Sequence, residues 1–200
     1  MMGVTYKKSF VDKGFHYIDI GIQKFPDRLD MRFGKVYMLG KIDDYDAFTQ
    51  EIIKAIDYSQ KINMKWTWTD NKLVDDPKTF MLGNIQSYVG QLYNLGDKQL
   101  NNMKAIAETI LKYYPDHVES LSNLAITYIL KKDYDNALKP LLKAEIVAPT
   151  DYIVLGNIAY CYNGKGDKEN AIKYYILTQK YGDTNAKNMA TEKLKELQKN

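Results

Sequence analysis

Cysteine, histidine and proline are scarce in this sequence, with 1, 2 and 5 occurrences in 200 residues. Because Cys161 is the only cysteine, an intramolecular disulfide framework and a cysteine-rich zinc site are both excluded. The hydrophobic fraction of 45% and the charged fraction of 26% are typical of a folded protein. The composition therefore excludes an intrinsically disordered chain and predicts a core that needs no metal or disulfide for stability.

Long apolar runs and a strong net charge are also missing. No run approaches the roughly 18 apolar residues of a membrane span, and residues 1–10 lack the apolar centre of a signal peptide. The net charge of +3 is small beside 28 basic and 25 acidic side chains, which disfavours nucleic acid as a partner. We expect no membrane span. Localisation stays open: cytoplasmic as given, or the cell envelope if a preceding segment carries a signal.

No set of residues typical of an active site is recognisable. His16 and His117 are far apart in sequence, and Cys161 falls on the apolar face of a helix, where a core thiol is expected. The acidic segment 43–51 lacks the alternating ligands of a calcium loop, and 163–167 lacks the glycine spacing of a phosphate-binding loop. We therefore expect no enzyme activity, no cofactor and no metal.

An internal repeat dominates the second half of the chain. The segment 123–128 (NLAITY) resembles 157–162 (NIAYCY), and we call the offset between these two segments the repeat period. The same offset holds downstream, and the matching pairs are Leu121/Leu155, Lys131/Lys165, Asp133/Asp167, Asn136/Asn170, Ala137/Ala171 and Lys139/Lys173. Within each copy, apolar residues recur at helical spacing on both sides of a Lys-Asp or Gly-Asp turn. Each copy is thus predicted to be an antiparallel pair of helices.

These residues resemble the tetratricopeptide repeat family, whose units are also about 34 residues long. The resemblance rests on Leu124, Ala125, Tyr128, Ala137, Leu141, Ala144 and Pro149. Small residues at Ala125 and Ala137 let two helices approach closely, while Tyr128 and Leu141 fill the space around them. The second copy departs from the pattern at Lys168, Thr178 and Asp183, as suits a terminal repeat. The interpretation is a bacterial member of the family that lacks its native N-terminal segment.

The resemblance implies an all-α fold, a right-handed α-α superhelix of about four repeat-like units and a C-terminal capping helix. Its units are a partial repeat at 1–26, a divergent repeat at 27–59, repeats at 84–117, 118–151 and 152–184, and a capping helix at 185–200. An irregular insert with two tryptophans and a lead-in occupies 60–83. Because the array begins within a repeat, a homo-oligomer formed through the N-terminal half-repeat stays open.

Trp66 and Trp68 in the insert have two interpretations. Their alternation in Lys65–Asp70 places both indoles on one side of an extended segment, where they form a possible second recognition patch. Alternatively, they fill a gap in the core left by the interrupted repeat, since burial is the commonest use of tryptophan.

In tetratricopeptide arrays the first helix of each pair lines a concave groove that binds a protein or peptide. The resemblance assigns to this groove Glu119, Ser122, Asn123, Ile126, Ile129, Ile153, Gly156, Asn157, Tyr160 and Asn163. Glu119 and Ile153 stand where a carboxylate-gripping array carries basic residues, so a partly apolar peptide is the better match. The expected function is a non-catalytic interaction scaffold. The alternatives are a structural or oligomerisation segment of a longer chain and a regulatory domain of an enzyme system.

Overall fold

A computed structural model describes the backbone of residues 2–199 and the side chains of residues 10–199. Over this range all regular secondary structure is helical, apart from two isolated β-bridges at the insert. The helices are α1 (Met2–Lys24), α2 (Leu29–Lys41), α3 (Tyr45–Lys61), α4 (Pro77–Asn94), α5 (Leu100–Tyr113), α6 (Val118–Ile129), α7 (Tyr134–Val147), α8 (Tyr152–Gly164), α9 (Lys168–Tyr181) and α10 (Thr184–Lys199). A short 3-10 turn, Asp97–Gln99, precedes α5.

The helices form two compact units, Met1–Asn94 and Leu95–Asn200. In the first unit α2 packs on α3, and in the second unit each helix from α5 to α9 packs on the next helix along the chain. The predicted all-α fold of consecutively packed helix pairs is therefore confirmed. The division falls between α4 and α5, inside the range 84–117, so the assignment of that range to one repeat stays a prediction.

The irregular insert is shorter than the predicted 60–83. Helix α3 continues to Lys61 and α4 already begins at Pro77. The carboxylate of Asp76 accepts a hydrogen bond from the backbone N–H of Thr79 at 3.3 Å, and Pro77 follows as the first helical residue. An acidic cap followed by proline is a strong helix-start signal, because proline has no N–H to leave unsatisfied there. The irregular segment is therefore 62–76.

The turn within a helix pair has the same geometry in three places. Asp44, Asp133 and Asp167 each accept a hydrogen bond from the backbone N–H three residues later, at 3.1, 3.3 and 3.1 Å. In the last two turns the amide of Asn136 or Asn170 also donates to the second carboxylate oxygen. These bonds lower the pKa of Asp133 and of Asp167. The sequence repeat is thus a repeat of local structure as well.

Small residues hold the pairs of the second unit close together. Ala125 and Ala137, and their counterparts Ala159 and Ala171, are fully buried in one hydrophobic core. A larger side chain at any of them would separate helices that now pack at close range. The burial of Ala125 and Ala137 agrees with their predicted place between packed helices, and Ala159 and Ala171 repeat it.

Polar side-chain contacts between neighbouring helix pairs recur at the repeat period. The ammonium of Lys131 donates to the side-chain oxygen of Asn101 at 3.3 Å, and Lys165 makes the equivalent contact with the carboxylate of Asp135. Both lysines follow the first helix of their pair, and both partners lie on the pair before it. The second unit is therefore periodic between its pairs as well as within them.

In the first unit one cation connects three helices. The ammonium of Lys35 on α2 lies 2.6 Å from the carboxylate of Asp19 on α1 and 3.2 Å from that of Glu51 on α3. Burial disfavours the charge of Lys35, but these two carboxylates outweigh the burial and raise its pKa. No described side chain of α1 is fully buried, and this ion pair is one of the contacts that join α1 to the rest of the first unit.

Two of the repeated turns have different residues, Lys132 and Gly166, at the same left-handed backbone position, and this difference predicts a difference in stability. Lys132 adopts φ 58°, whereas its counterpart Gly166 adopts φ 77°. The left-handed conformation is unfavourable for a residue with a Cβ atom but not for glycine. We expect Lys132→Gly to raise the free energy of unfolding by about 0.5–1 kcal/mol, measured by urea denaturation. Gly166→Lys is the reverse change at the equivalent position and is expected to lower the free energy of unfolding. Equal stability of the two variants would contradict the argument.

Candidate functional site

Four of the predicted groove residues line one pocket in the second unit. Ile153, Gly156, Asn157 and Tyr160 lie along one face of α8 and form a wall of a cavity of about 400 Å³. The remaining lining residues are Tyr152 on α8, Tyr175 on α9, and Ala186, Met189 and Lys193 on α10. The predicted residue Asn163 lies one turn beyond Tyr160, is half-buried and does not line this pocket.

The predicted residues of α6 do not line this pocket. Glu119 is exposed, and its carboxylate lies 3.4 Å from the imidazole of His117. Ser122 is buried, whereas Asn123, Ile126 and Ile129 are half-buried, with Ile129 packed against the hydrophobic core. The structure thus brings the α8 half of the predicted set together with α10, and the assignment of the α6 half to a binding groove stays a prediction.

Helix α8 has a capped first turn, and its buried face sets its orientation. The carboxylate of Asp151 accepts hydrogen bonds from the backbone N–H groups of Ile153 and Val154 at 2.9 and 3.2 Å. Its buried face carries Val154, Leu155, Ile158, Ala159 and Cys161. Because that face packs in the core, helical geometry turns the face with Ile153, Gly156 and Tyr160 toward the pocket.

Helix α10 forms the opposite wall of the pocket and follows α9 after a short link. This link consists of Gly182 and Asp183 alone, whereas the link from α7 to α8 is the longer segment Ala148–Asp151. Asp183 accepts hydrogen bonds from the backbone of Ala186 at 2.8 Å and from the hydroxyl of Tyr152 at 3.1 Å. Asp183 therefore ties the start of α10 to the start of α8.

A missing side chain accounts for part of the cavity. A Cβ atom at Gly156 would lie 3.6 Å from Cγ2 of Thr178 and 3.9 Å from Cε of Met189, which are ordinary contact distances. The wall of the pocket at Gly156 therefore has room for a Cβ atom, which the glycine leaves unoccupied. Gly156 lies inside a helix, where glycine is less favourable than alanine by about 1 kcal/mol.

Most of the pocket surface is apolar, and its polar groups are few. Tyr175 is buried, and this burial is the main reason that its pKa rises to about 12. The side chain of Asn157 is half-buried and brings a carboxamide to the pocket wall. The ammonium of Lys193 donates to the carboxylate of Glu196 at 2.7 Å, and this bond raises the pKa of Lys193. Few convergent polar groups on an apolar surface are typical of ligand pockets.

The cysteine and the histidine that the sequence offers as reactive groups in the second unit, Cys161 and His117, do not line the pocket. Burial raises the pKa of the Cys161 thiol to about 12, so the thiol is protonated at neutral pH and a weak nucleophile. His117 caps α6 by accepting a hydrogen bond from the backbone of Ser120 at 3.3 Å. Among residues 10–199 no group of three or more His, Cys, Asp or Glu side chains could hold a metal ion. What the pocket can do is bind an apolar group.

Sequence reasoning missed the residues that complete the pocket: Tyr152, Tyr175, Ala186, Met189 and Lys193. The spacing of the last segment predicts a capping helix but not what that helix contacts. An available signal was the position of Asp183, which stands two residues earlier than the repeat period would place a counterpart of Asp151. The shift of Asp183 by two residues does not by itself predict which helices α10 packs against.

The structure corrects the hypothesis that Trp66 and Trp68 form a recognition patch. Trp66 is 0% exposed, so its indole cannot reach a partner. Its ring packs against Tyr58 and against the guanidinium of Arg32, at centroid distances of 5.8 and 5.6 Å. The alternative of a core plug is therefore the one that the structure shows for Trp66. Trp68 is half-buried and lies edge-on to Phe80 at 5.1 Å.

Backbone pairing explains why the insert is ordered. Thr67 donates to the carbonyl of Asp27 at 3.0 Å and accepts from the N–H of Leu29 at 3.1 Å. On the other side, Val74 donates to the carbonyl of Trp66 at 2.9 Å. The segment lies between two neighbouring stretches of chain, and this placement directs Trp66 into the core of the first unit.

No helix within residues 2–199 combines the length and apolar character needed to cross a membrane. A scan against protein-family models gives no match, and a search of curated proteins gives none either.

Proposed function

We propose that this chain is a non-catalytic interaction scaffold of the tetratricopeptide type that binds a protein or peptide partner. The observation that carries the proposal is the pocket between α8 and α10, whose volume of about 400 Å³ lies within the range of ligand-binding cavities. An apolar side chain of the partner occupies this pocket, and the carboxamide of Asn157 serves as a hydrogen-bonding group at its wall.

The exposed residues on the pocket wall support a protein partner. Ile153 and Tyr160 are 56% and 47% exposed, and Met189 is 41% exposed. Tyrosine provides a large contact area with few rotatable bonds, and methionine adapts its shape to the group that it contacts. Such residues around an apolar depression are typical of sites that anchor one or two side chains of a partner.

The regular recurrence of caps, turns and buried alanines supports the tetratricopeptide type. Asp133 and Asp167 cap the second helix of their pairs in the same way. Lys131 and Lys165 make equivalent contacts with the preceding pair. Arrays of such pairs present the first helix of each pair on one face, as the resemblance implies. The pocket lies on the first helix of the last pair.

Filling the pocket tests the proposal. Gly156→Leu adds a side chain whose Cβ has room, so the fold is expected to persist while the cavity is occupied. Peptides selected on the wild-type protein from a displayed random library are expected to lose affinity at least about thirtyfold, since a central anchor contributes about 2 kcal/mol or more. Fluorescence polarisation with the selected peptides measures the affinity.

The matched control is Gly90→Leu, an exposed glycine of α4 with nothing within 4 Å of an added Cβ. Far-UV circular dichroism and thermal unfolding verify that both variants fold. The proposal is contradicted if the library yields no binders, or if the selected peptides bind Gly156→Leu as well as they bind Gly90→Leu.

A further inference from the structure

Helix α1 of the first unit presents a regular strip of exposed side chains, which we call the α1 strip. It consists of Phe10, Lys13, Tyr17, Ile20 and Lys24. Three of these side chains are large and apolar, and Phe10, Tyr17 and Ile20 are 59%, 70% and 44% exposed. Apolar side chains that are grouped on one exposed face, rather than scattered singly, mark an interaction surface.

The α1 strip has the spacing of a coiled-coil seam. Its members follow one another at alternating intervals of three and four residues, so they occupy the a and d positions of a heptad. Phe10, Tyr17 and Lys24 fall at a, and Lys13 and Ile20 fall at d. A seam of this kind packs against a second helix that carries the same spacing.

A second copy of α1 in antiparallel orientation complements the strip. Because reversing one helix reverses the order of its positions, each a residue then lies opposite a d residue of the other helix. With the two-fold axis at the level of Phe15, Phe10 lies opposite Ile20 of the second copy, and Lys13 lies opposite its Tyr17. Each pair occurs twice. The first pair buries apolar surface, and the second places an ammonium on an aromatic ring.

The lysines of the strip distinguish the two possible orientations. In a parallel pair identical positions meet, so Lys13 would lie opposite Lys13 and Lys24 opposite Lys24. Like charges at such short range are unfavourable. In the antiparallel pair no two lysines of the strip lie opposite each other, and Lys13 gains the ring of Tyr17 instead. The charge pattern therefore favours the antiparallel arrangement.

We propose that the α1 strip is the interface of an antiparallel homodimer, in which α1 of one copy packs against α1 of a second copy. The partner is a second copy because one set of residues satisfies both sides of the contact, as a two-fold interface requires. The inference goes beyond the proposed function and does not depend on it, since the strip lies in the first unit and the peptide pocket in the second. The interface is small, so the dimer is half-associated at about 10–100 μM.

Sedimentation equilibrium of the full chain over a concentration series measures the dissociation constant of the dimer. Tyr17→Ala removes the ring opposite Lys13 at two places in the dimer and is expected to raise the dissociation constant at least about tenfold. Tyr93→Ala makes the same change at a 49% exposed tyrosine of α4 and is expected to leave the constant unchanged. Far-UV circular dichroism verifies that both variants fold.

Cysteine cross-linking tests the orientation. The natural Cys161 is fully buried and does not compete. A mixture of Phe10→Cys and Ile20→Cys, oxidised with copper-phenanthroline, is expected to form a disulfide-linked dimer, because the two positions lie opposite each other. Either variant alone is expected to give little cross-linked product. A parallel pair would give efficient cross-linking of each variant alone.

Three results would overturn the inference. These are a wild-type chain that stays monomeric up to about 1 mM, a dimer that Tyr17→Ala and Tyr93→Ala weaken equally, and efficient cross-linking of either cysteine variant alone. If the monomeric chain instead sediments with vesicles of phosphatidylcholine and phosphatidylserine, the strip binds an anionic membrane and the homodimer is excluded. Peptide binding to the α8–α10 pocket is measured separately, so failure of the dimer leaves the proposed function intact.

Discussion

Alanine in place of Trp66 is expected to lower the free energy of unfolding of the first unit by about 3–5 kcal/mol. The indole is fully buried, so its removal leaves a cavity that neighbouring side chains fill only in part. The guanidinium of Arg32, which also lies 4.3 Å from the ring centroid of Tyr58, would lose its contact with the indole. Urea denaturation followed by far-UV circular dichroism measures the change.

Trp68→Ala is the matched control, since Trp68 lies two residues away but is half-buried. Its main aromatic contact is with Phe80, and we expect a loss of about 1 kcal/mol. An equal or larger loss for Trp68→Ala would show that the packing of Trp66 is not what stabilises this unit. Neither variant is expected to change binding of peptides to the α8–α10 pocket, because both residues lie in the first unit.

The second large effect is expected at Gly182, in the link before α10. A Cβ atom there would lie 2.6 Å from the carbonyl oxygen of Thr178 and 2.8 Å from Cβ of Ala186. The first of these neighbours is backbone and the second is a short side chain, so neither can rotate away. We expect Gly182→Ala to lower the free energy of unfolding of the second unit by about 2–3 kcal/mol and to weaken peptide binding, because α10 forms one wall of the pocket.

Gly156→Ala is the control for the same chemical change at a position with space. It is expected to raise the free energy of unfolding by about 0.5–1 kcal/mol, since alanine is favoured over glycine inside a helix. Thermal unfolding of Gly182→Ala and Gly156→Ala under the same conditions measures whether their stability changes have opposite signs. Two changes of the same sign and size would contradict the steric argument at Gly182.

The periodic part of the fold could be predicted because its determinants are local. Asp133 and Asp167 cap helices through bonds to the backbone of the next turn, and Ala125 and Ala159 are small where the helices approach. Each of these signals lies within one helix pair and recurs in the next pair. The start of α4 carries an equally local signal in Asp76 and Pro77, which the interpretation of 60–83 as irregular did not use.

The candidate site could be predicted only in part. Helical spacing identified the face of α8 that carries Ile153, Gly156, Asn157 and Tyr160, since side chains three and four residues apart share a face. It did not identify Tyr175 or Lys193, because these residues reach the pocket from other helices. The position of Trp66 was undecided for the same reason, since the adjacent Thr67 pairs with the distant backbone of Asp27 and Leu29, and Trp66 contacts Arg32 of α2.

By itself the sequence determined that the chain is all-helical, that its second half is built from repeated helix pairs, and which face of α8 is turned away from the core. These properties follow from spacing and capping within one pair of helices. Only the tertiary structure decided that Trp66 is buried and that α10 closes a pocket over α8. Both depend on contacts between residues distant in sequence, and the second also depends on the short link at Gly182, which sets where α10 begins.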